Sequence, residues 1–179
     1  MKKGLKIFIV AMSLVLVIAT AVGTTLALLT DVSETVKNTF TAGKVEITLA
    51  ETTTDDDYVL IPGATIDKNP IVTVKAGSEN CYLFVKVDVD AKLEGVVLFT
   101  LDGWTKLEGV DGVNNVYYRD DGKAGSSYKV FTNNQVTVNK DATTDKIKAA
   151  DKATITITAY ACQKEYVTTV AEAWAAVNA

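Results

Sequence analysis

Residues 81–90, CYLFVKVDVD, constrain the fold of this chain more than any other stretch. Leu83, Val85, Val87 and Val89 fall on one face of an extended chain, and mostly polar or aromatic side chains occupy the other. A period of two with β-branched residues is typical of a half-buried β-strand. The same pattern recurs in residues 45–49, 71–75, 135–139 and 153–161. The chain is therefore predicted to be all-β.

Turn-forming residues separate these predicted strands. Glycine accepts positive φ, and aspartate side chains hydrogen-bond to nearby backbone groups. Strands divided in this way favour an antiparallel β-sandwich or a jelly roll, and the pattern alone does not choose between the two. The predicted turns contain Pro62 with Gly63, Ala76 with Gly77 and Ser78, Asp102 with Gly103, Asp111 with Gly112, and Asp121 with Gly122.

Two short helices are predicted among the strands. The first covers residues 144–150 and is polar. The second covers residues 169–177, where Thr169 and Glu172 have the spacing of a capping box. Apolar residues then recur at helical spacing around Trp174, which is predicted to pack this helix onto the sandwich.

The first 30 residues have the pattern of an export signal. Residues 1–6, MKKGLK, are basic, and residues 7–30 carry no charge. A basic start followed by an apolar run is a secretory signal, and small residues at positions 25 and 27 place the cut after Ala27, so that Leu28 begins the mature chain. The alternative is an uncleaved anchor, because about 20 apolar residues span a bilayer. Either interpretation places residues 41–179, the predicted sandwich domain, outside the membrane.

Charge and composition exclude several functions. Three of the 18 basic residues lie in the leader, which leaves 15 basic against 22 acidic residues, a net charge of −7. Nucleic-acid binding is not expected, because it needs a basic patch. The chain contains no histidine. Serine and cysteine hydrolase triads and the HExxH zinc site all need an imidazole, so no enzyme activity and no cofactor are predicted.

The end of the leader and the start of the mature chain resemble a known group of exported bacterial proteins. Residues 19–31 read ATAVGTTLALLTD and residues 38–45 read NTFTAGKV. This is similar to proteins cut by the dedicated SipW-type signal peptidase. Later segments fit the same TasA/camelysin group, and the resemblance touches nearly the whole chain. These segments are IPG at 61–63, KNP at 68–70, YLFVKV at 82–87, ITAYACQ at 157–163 and AEAWAA at 171–176.

The resemblance implies a jelly-roll fold and a structural role. TasA-like members are secreted and polymerise into fibres of the biofilm matrix, where the mature N-terminal segment of one subunit completes a sheet of the next. Here that implication falls on residues 28–40, called the assembly segment below. The expected partners are other copies of this chain, related matrix proteins and the signal peptidase. The alternative is a segment that folds back on its own domain or forms a disordered tail. Its apolar residues are Leu28, Leu29, Val32, Val36 and Phe40.

Two rival functions follow from the resemblance and the aromatic content. Camelysin is classed as a metalloprotease, but the acidic run at 55–57 is more typical of a solvated loop than of a metal site. Weak calcium binding by this run, or by Asp120 and Asp121, is an alternative, although neither run has the spacing of a calcium loop. Trp104, Tyr117 and Tyr118 suggest either a glycan-binding surface or a hairpin with one ring on each face.

Cys81 and Cys162 are the only cysteines. An even count in an exported chain makes them a candidate disulfide. Parity argues against the bridge, because Cys81 shares a face with Leu83 and Cys162 lies opposite the face of Ile157. The alternative is two free thiols.

Overall fold

The computed structural model of the chain describes residues 44–52, 58–165 and 167–178. All of them belong to one compact unit, Ala42–Ala179. No helix within these residues has both the length and the apolar character needed to cross a bilayer. The strands are β1 (Ile47–Ala50), β2 (Thr65–Asp67), β3 (Ile71–Val74), β4 (Cys81–Val89), β5 (Val97–Leu98), β6 (Thr105–Lys106), β7 (Val116–Gly122), β8 (Ser127–Lys129), β9 (Gln135–Val138) and β10 (Ile155–Gln163), and the helices are α1 (Thr144–Ala149) and α2 (Val170–Val177).

Three sheets account for all the strands of the described residues. Their orders are β1-β3-β8, β10-β4-β7-β6 and β2-β9-β5. The strands pair antiparallel throughout. The prediction of an all-β, antiparallel fold with two short helices is therefore confirmed.

The main apolar core draws side chains from all three sheets. Leu83, Val85 and Val87 come from the inner face of β4, Val74 comes from β3, and Val136 comes from β9. All five are at most 3% exposed. The alternation in residues 81–90 therefore sets which face of the four-stranded sheet is turned toward this core.

A second core covers the opposite face of the four-stranded sheet. Trp174 of α2 lies there, with its ring centroid 5.3 Å from that of Phe84 on β4 and 5.3 Å from that of Tyr160 on β10. Helix α2 begins with the predicted capping box, in which Thr169 accepts from the Glu172 N–H and the Glu172 carboxylate accepts from the Thr169 N–H. The predicted packing of this helix through Trp174 is confirmed.

One predicted turn is wrong, whereas the other four turn glycines, Gly63, Gly77, Gly103 and Gly112, have positive φ. Asp121 and Gly122 are the last residues of β7, and Gly122 pairs with Cys81. The chain turns later, at Ala124 and Gly125. Glycine is needed at 122 for space rather than for φ, because a Cβ there would lie 2.6 Å from the Cys81 carbonyl oxygen.

Candidate interaction edge

Strand β10 is the outermost strand of the four-stranded sheet. It pairs only with β4 among the described strands. The register runs without a break from Ile155 opposite Val89 to Gln163 opposite Cys81. The outward side of β10 is called the open edge below.

The backbone groups of the open edge can be assigned residue by residue. The Asp90 N–H donates to the Thr154 carbonyl at 3.0 Å, and the Lys164 N–H donates to the Asn80 carbonyl at 2.9 Å. In an antiparallel pair, successive residues turn their N–H and C=O alternately toward and away from the partner strand. The backbone N–H and C=O groups of the even-numbered residues of β10 therefore bond to β4, and those of the odd-numbered residues point away from β4, out of the sheet edge. The outward-facing residues are Ile155, Ile157, Ala159, Ala161 and Gln163.

The open edge lacks the features that usually protect a sheet edge. Exposed edges are normally short, or carry lysine, proline or a bulge that prevents pairing with another chain. Residues 154–163 contain no charged residue, no proline and no glycine. The strands at the other sheet edges have at most 4 residues, against 9 in β10. The open edge is thus the one most suited to accept an added strand.

Strand β1 packs against β10. Its own outward groups follow from the same alternation, because the Lys75 N–H donates to the Glu46 carbonyl at 2.9 Å. The backbone groups of the even-numbered residues of β1 therefore bond to β3, and the N–H and C=O groups of Ile47 and Leu49 point away from β3. The chain before Lys44 enters the described domain through this strand, so the assembly segment is connected in sequence to the strand that lies against β10.

Most of the site residues predicted from the sequence lie outside the described residues. This holds for Ala27 and Leu28 at the cut, for the assembly segment with Leu29, Val32, Val36 and Phe40, and for the acidic run at 55–57. Asp121 is described, and Arg119 donates to both of its carboxylate oxygens at 2.9 Å. This pairing lowers the pKa of the Asp121 carboxyl and raises the pKa of Arg119. Among the described residues, no three cysteine or acidic side chains gather into a group that could hold a metal ion.

The candidate disulfide is not formed. Cys162 lies opposite Tyr82 in the register, while Cys81 lies opposite Gln163. This offset of one residue places Cys81 in the main core and Cys162 in the second core, on opposite faces of the sheet. Both thiols are free. Burial raises the pKa of the Cys81 thiol to about 11 and also raises the pKa of the Cys162 thiol.

The aromatic residues proposed for glycan binding pack within the domain. Trp104 is 8% exposed, and its indole N–H donates to the Lys129 carbonyl at 2.7 Å. The Arg119 guanidinium lies 5.8 Å from the Trp104 ring and 4.8 Å from the Tyr128 ring. Tyr117 packs on the main core and Tyr118 on the second core. The interpretation with one ring on each face is confirmed, and these rings do not form an exposed platform.

No family model, no curated protein and no solved structure matches this chain.

Proposed function

We propose that this chain is an exported structural subunit that assembles outside a bacterial cell by strand addition. The assembly segment of one subunit would add to the open edge of the next and extend its four-stranded sheet. The observation that supports this most is the nine-residue, uncharged edge of β10. The proposed role is non-catalytic, because a chain without histidine lacks the commonest general base.

The backbone supplies the attraction in this proposal. Five alternate residues of β10, from Ile155 to Gln163, direct their backbone N–H and C=O groups toward a strand that lies alongside. An added strand satisfies these groups, and its side chains alternate between the two faces of the extended sheet. Leu28, Val32, Val36 and Phe40 share one parity and would lie on one face, whereas Leu29 would lie on the other. The jelly-roll arrangement that the family resemblance implies belongs to the same proposal.

Removal of the leader would control the timing of assembly. Before the cut after Ala27, the assembly segment is continuous with an uncharged run that begins at residue 7. The cut would release this segment to reach another subunit, at the cell surface or in the surrounding matrix. Copies of this chain and related matrix proteins are the proposed partners, and a SipW-type peptidase is the proposed processing enzyme.

Electron microscopy of two proteins tests the proposal. One begins at Leu28, and the other lacks residues 28–40. We expect fibres from the first and monomers from the second. Fibres from both would show that the assembly segment is dispensable, and monomers from both under all conditions would reject assembly altogether.

A proline substitution tests the open edge itself. Ala159→Pro removes an outward N–H that does not bond to β4, and proline is tolerated at such edge positions. We expect this variant of the protein that begins at Leu28 to fold but not to form fibres. Leu49→Pro is the matched control, because it removes an outward N–H from the neighbouring edge strand β1. Fibre formation by Ala159→Pro would contradict the proposed acceptor edge.

A further inference from the structure

A cleft of about 910 Å³ opens where α1 packs near the sheet β2-β9-β5. Its apolar floor includes Ile66 on β2, Val97 on β5 and Val136 on β9, together with Ile147 from α1 and Ile155 at the start of β10. Ligand-binding clefts in proteins have volumes of about 300–1,000 Å³ and are lined mainly by apolar side chains. This cleft therefore has the size and the floor of a binding site for a small molecule with an apolar part.

Several charged side chains line the rim of the cleft, and only some of them form ion pairs. Lys68 forms an ion pair with Glu51, with 3.1 Å between Nζ and a carboxylate oxygen. Lys148 and Lys152 also line the cleft, as does Asp151. Neither of these two lysines has a side-chain hydrogen bond or an ion pair within the described residues. The rim thus offers two uncommitted ammonium groups and one carboxylate in a chain whose net charge is −4.

Lys152 adopts a backbone conformation that is costly for lysine. Its φ is 56°, and the other non-glycine residues with positive φ in the described part of the chain are Asn133 and Asn134. Asparagine tolerates this region better than lysine, because its short polar side chain can hydrogen-bond to the nearby backbone. Strained backbone conformations occur preferentially at functional sites. Lys152 is the third residue of a turn that the Ala153 N–H closes on the Ala150 carbonyl at 3.1 Å, and this turn places the lysine in the lining of the cleft.

We propose that this cleft binds a single-chain amphipathic anion, namely a fatty-acid carboxylate. The alkyl chain would lie on the floor formed by the isoleucine and valine side chains. The carboxylate would lie at the rim between the ammonium groups of Lys148 and Lys152. Burial of the alkyl chain supplies affinity that increases with chain length, by up to roughly fourfold for each fully buried methylene. The two lysines supply the preference for an anionic head group. This inference is independent of the proposed function.

Methyl NMR of the purified protein with labelled isoleucine tests the proposal, with sodium dodecanoate as the probe below its micelle concentration. We expect saturable shifts of the Ile66, Ile147 and Ile155 methyl signals and no shift of Ile71, which lies on β3 outside the cleft lining. Decanoate and dodecanol should each bind more weakly than dodecanoate, decanoate because it lacks two methylenes and dodecanol because it lacks the charge. Absence of shifts at the three cleft residues, or equal binding of dodecanol and dodecanoate, would overturn the proposal.

Two lysine variants separate the charge from the fold. Lys148→Met keeps most of the side-chain length without the charge, and Lys152→Gly removes the charge and relieves the positive φ. Each should weaken dodecanoate binding about threefold, as expected for one partly exposed ion pair, while the melting temperature of Lys152→Gly stays equal or rises. Lys140→Met is the control, because Lys140 is exposed, pairs with Asp141 and does not line the cleft. Unchanged binding in both cleft variants would exclude a head-group site at these lysines.

Discussion

Gly122 on β7 lies directly against Cys81 on β4. A Cβ at this position would lie 2.6 Å from the Cys81 carbonyl oxygen and 2.7 Å from its Sγ. We expect Gly122→Ala to destabilise the domain by about 1–3 kcal/mol, the usual cost of overpacking a core. Urea denaturation measures the change.

Gly112→Ala is the matched control for this substitution. Gly112 has a φ of 76° and nothing within 4 Å of an added Cβ. Its substitution therefore reports only the backbone cost of positive φ, about 1 kcal/mol. A smaller loss of stability for Gly122→Ala than for Gly112→Ala would contradict the close approach of β7 to Cys81.

The two cysteines give a second prediction at the residue scale. Cys81 is fully buried, and burial raises the pKa of its thiol to about 11. Because the thiolate is the reactive form, Cys81 should resist alkylation at pH 8 in the native protein and react after denaturation. Intact-mass measurement of the denatured protein, alkylated without a reductant, should show two modified thiols. A mass lacking both adducts would indicate a disulfide and would contradict the register between β4 and β10.

At the scale of elements, the N-terminus of α2 should make stability depend on pH. Hydrogen bonds from the Thr168 side chain, followed by the backbone N–H groups of Thr168 and Thr169, lower the pKa of Glu172. A lowered pKa in the folded state gives stability that is present above the unfolded pKa, about 4.3, and lost as the pH falls through the folded pKa. Glu172→Gln keeps an amide acceptor but does not titrate.

The comparison is made by measuring melting temperatures of the two proteins from pH 7 to pH 3. The wild-type protein should be the more stable at pH 7, and the two curves should begin to converge below about pH 4.3 and meet once the pH is below the lowered pKa of Glu172. Parallel curves across the whole range would show that Glu172 does not contribute through its charge.

Strand β10 gives a second prediction at the scale of elements, because the N–H groups of its even-numbered residues bond to β4 and those of its odd-numbered residues do not. Ala159→Pro removes an outward N–H, whereas Thr158→Pro removes an N–H that faces Lys86 on β4. Loss of a ladder hydrogen bond that leaves a buried carbonyl unsatisfied costs about 1–3 kcal/mol. We therefore expect Thr158→Pro to be the more destabilising of the two by about that amount in urea denaturation. Equal losses would contradict the assignment of the outward-facing residues.

The elements differ in how far the sequence could predict them. The period of two predicts β4 from residues 81–90 and β10 from Ile155 and Ile157 among threonines, and each of these strands has nine residues. Strands β5 and β6 have two residues each, and a period of two cannot be recognised in so short a run. Asp121 and Gly122 have the composition of a turn, and only the pairing of β7 with Cys81 shows that the glycine is required for space.

At the scale of the whole molecule, the order of strands in the sheets could not be predicted from the sequence. The alternation in residues 153–161 predicts a half-buried strand, but the position of β10 at an edge depends on which strands pair across long sequence separations. One feature of the sequence agrees with an edge strand that lacks protecting charges. Residues 154–163 carry no charge on either face, whereas the central strand β4 carries Lys86 and Asp88. The positions of Cys81 and Cys162 in the alternation of their strands were also informative, because they indicated that the two thiols lie on opposite faces of the sheet.

In the proposed fibre, the open edge of β10 accepts the assembly segment of another subunit. Hydrogen–deuterium exchange of the protein that begins at Leu28, compared between fibres and monomers, tests this most directly. In monomers the outward amides of Ile155, Ile157, Ala159, Ala161 and Gln163 should exchange faster than the even-numbered amides of β10, which bond to β4. In fibres we expect these outward amides to become as protected as the even-numbered ones. Fibres in which the outward amides still exchange as fast as in monomers would contradict this expectation.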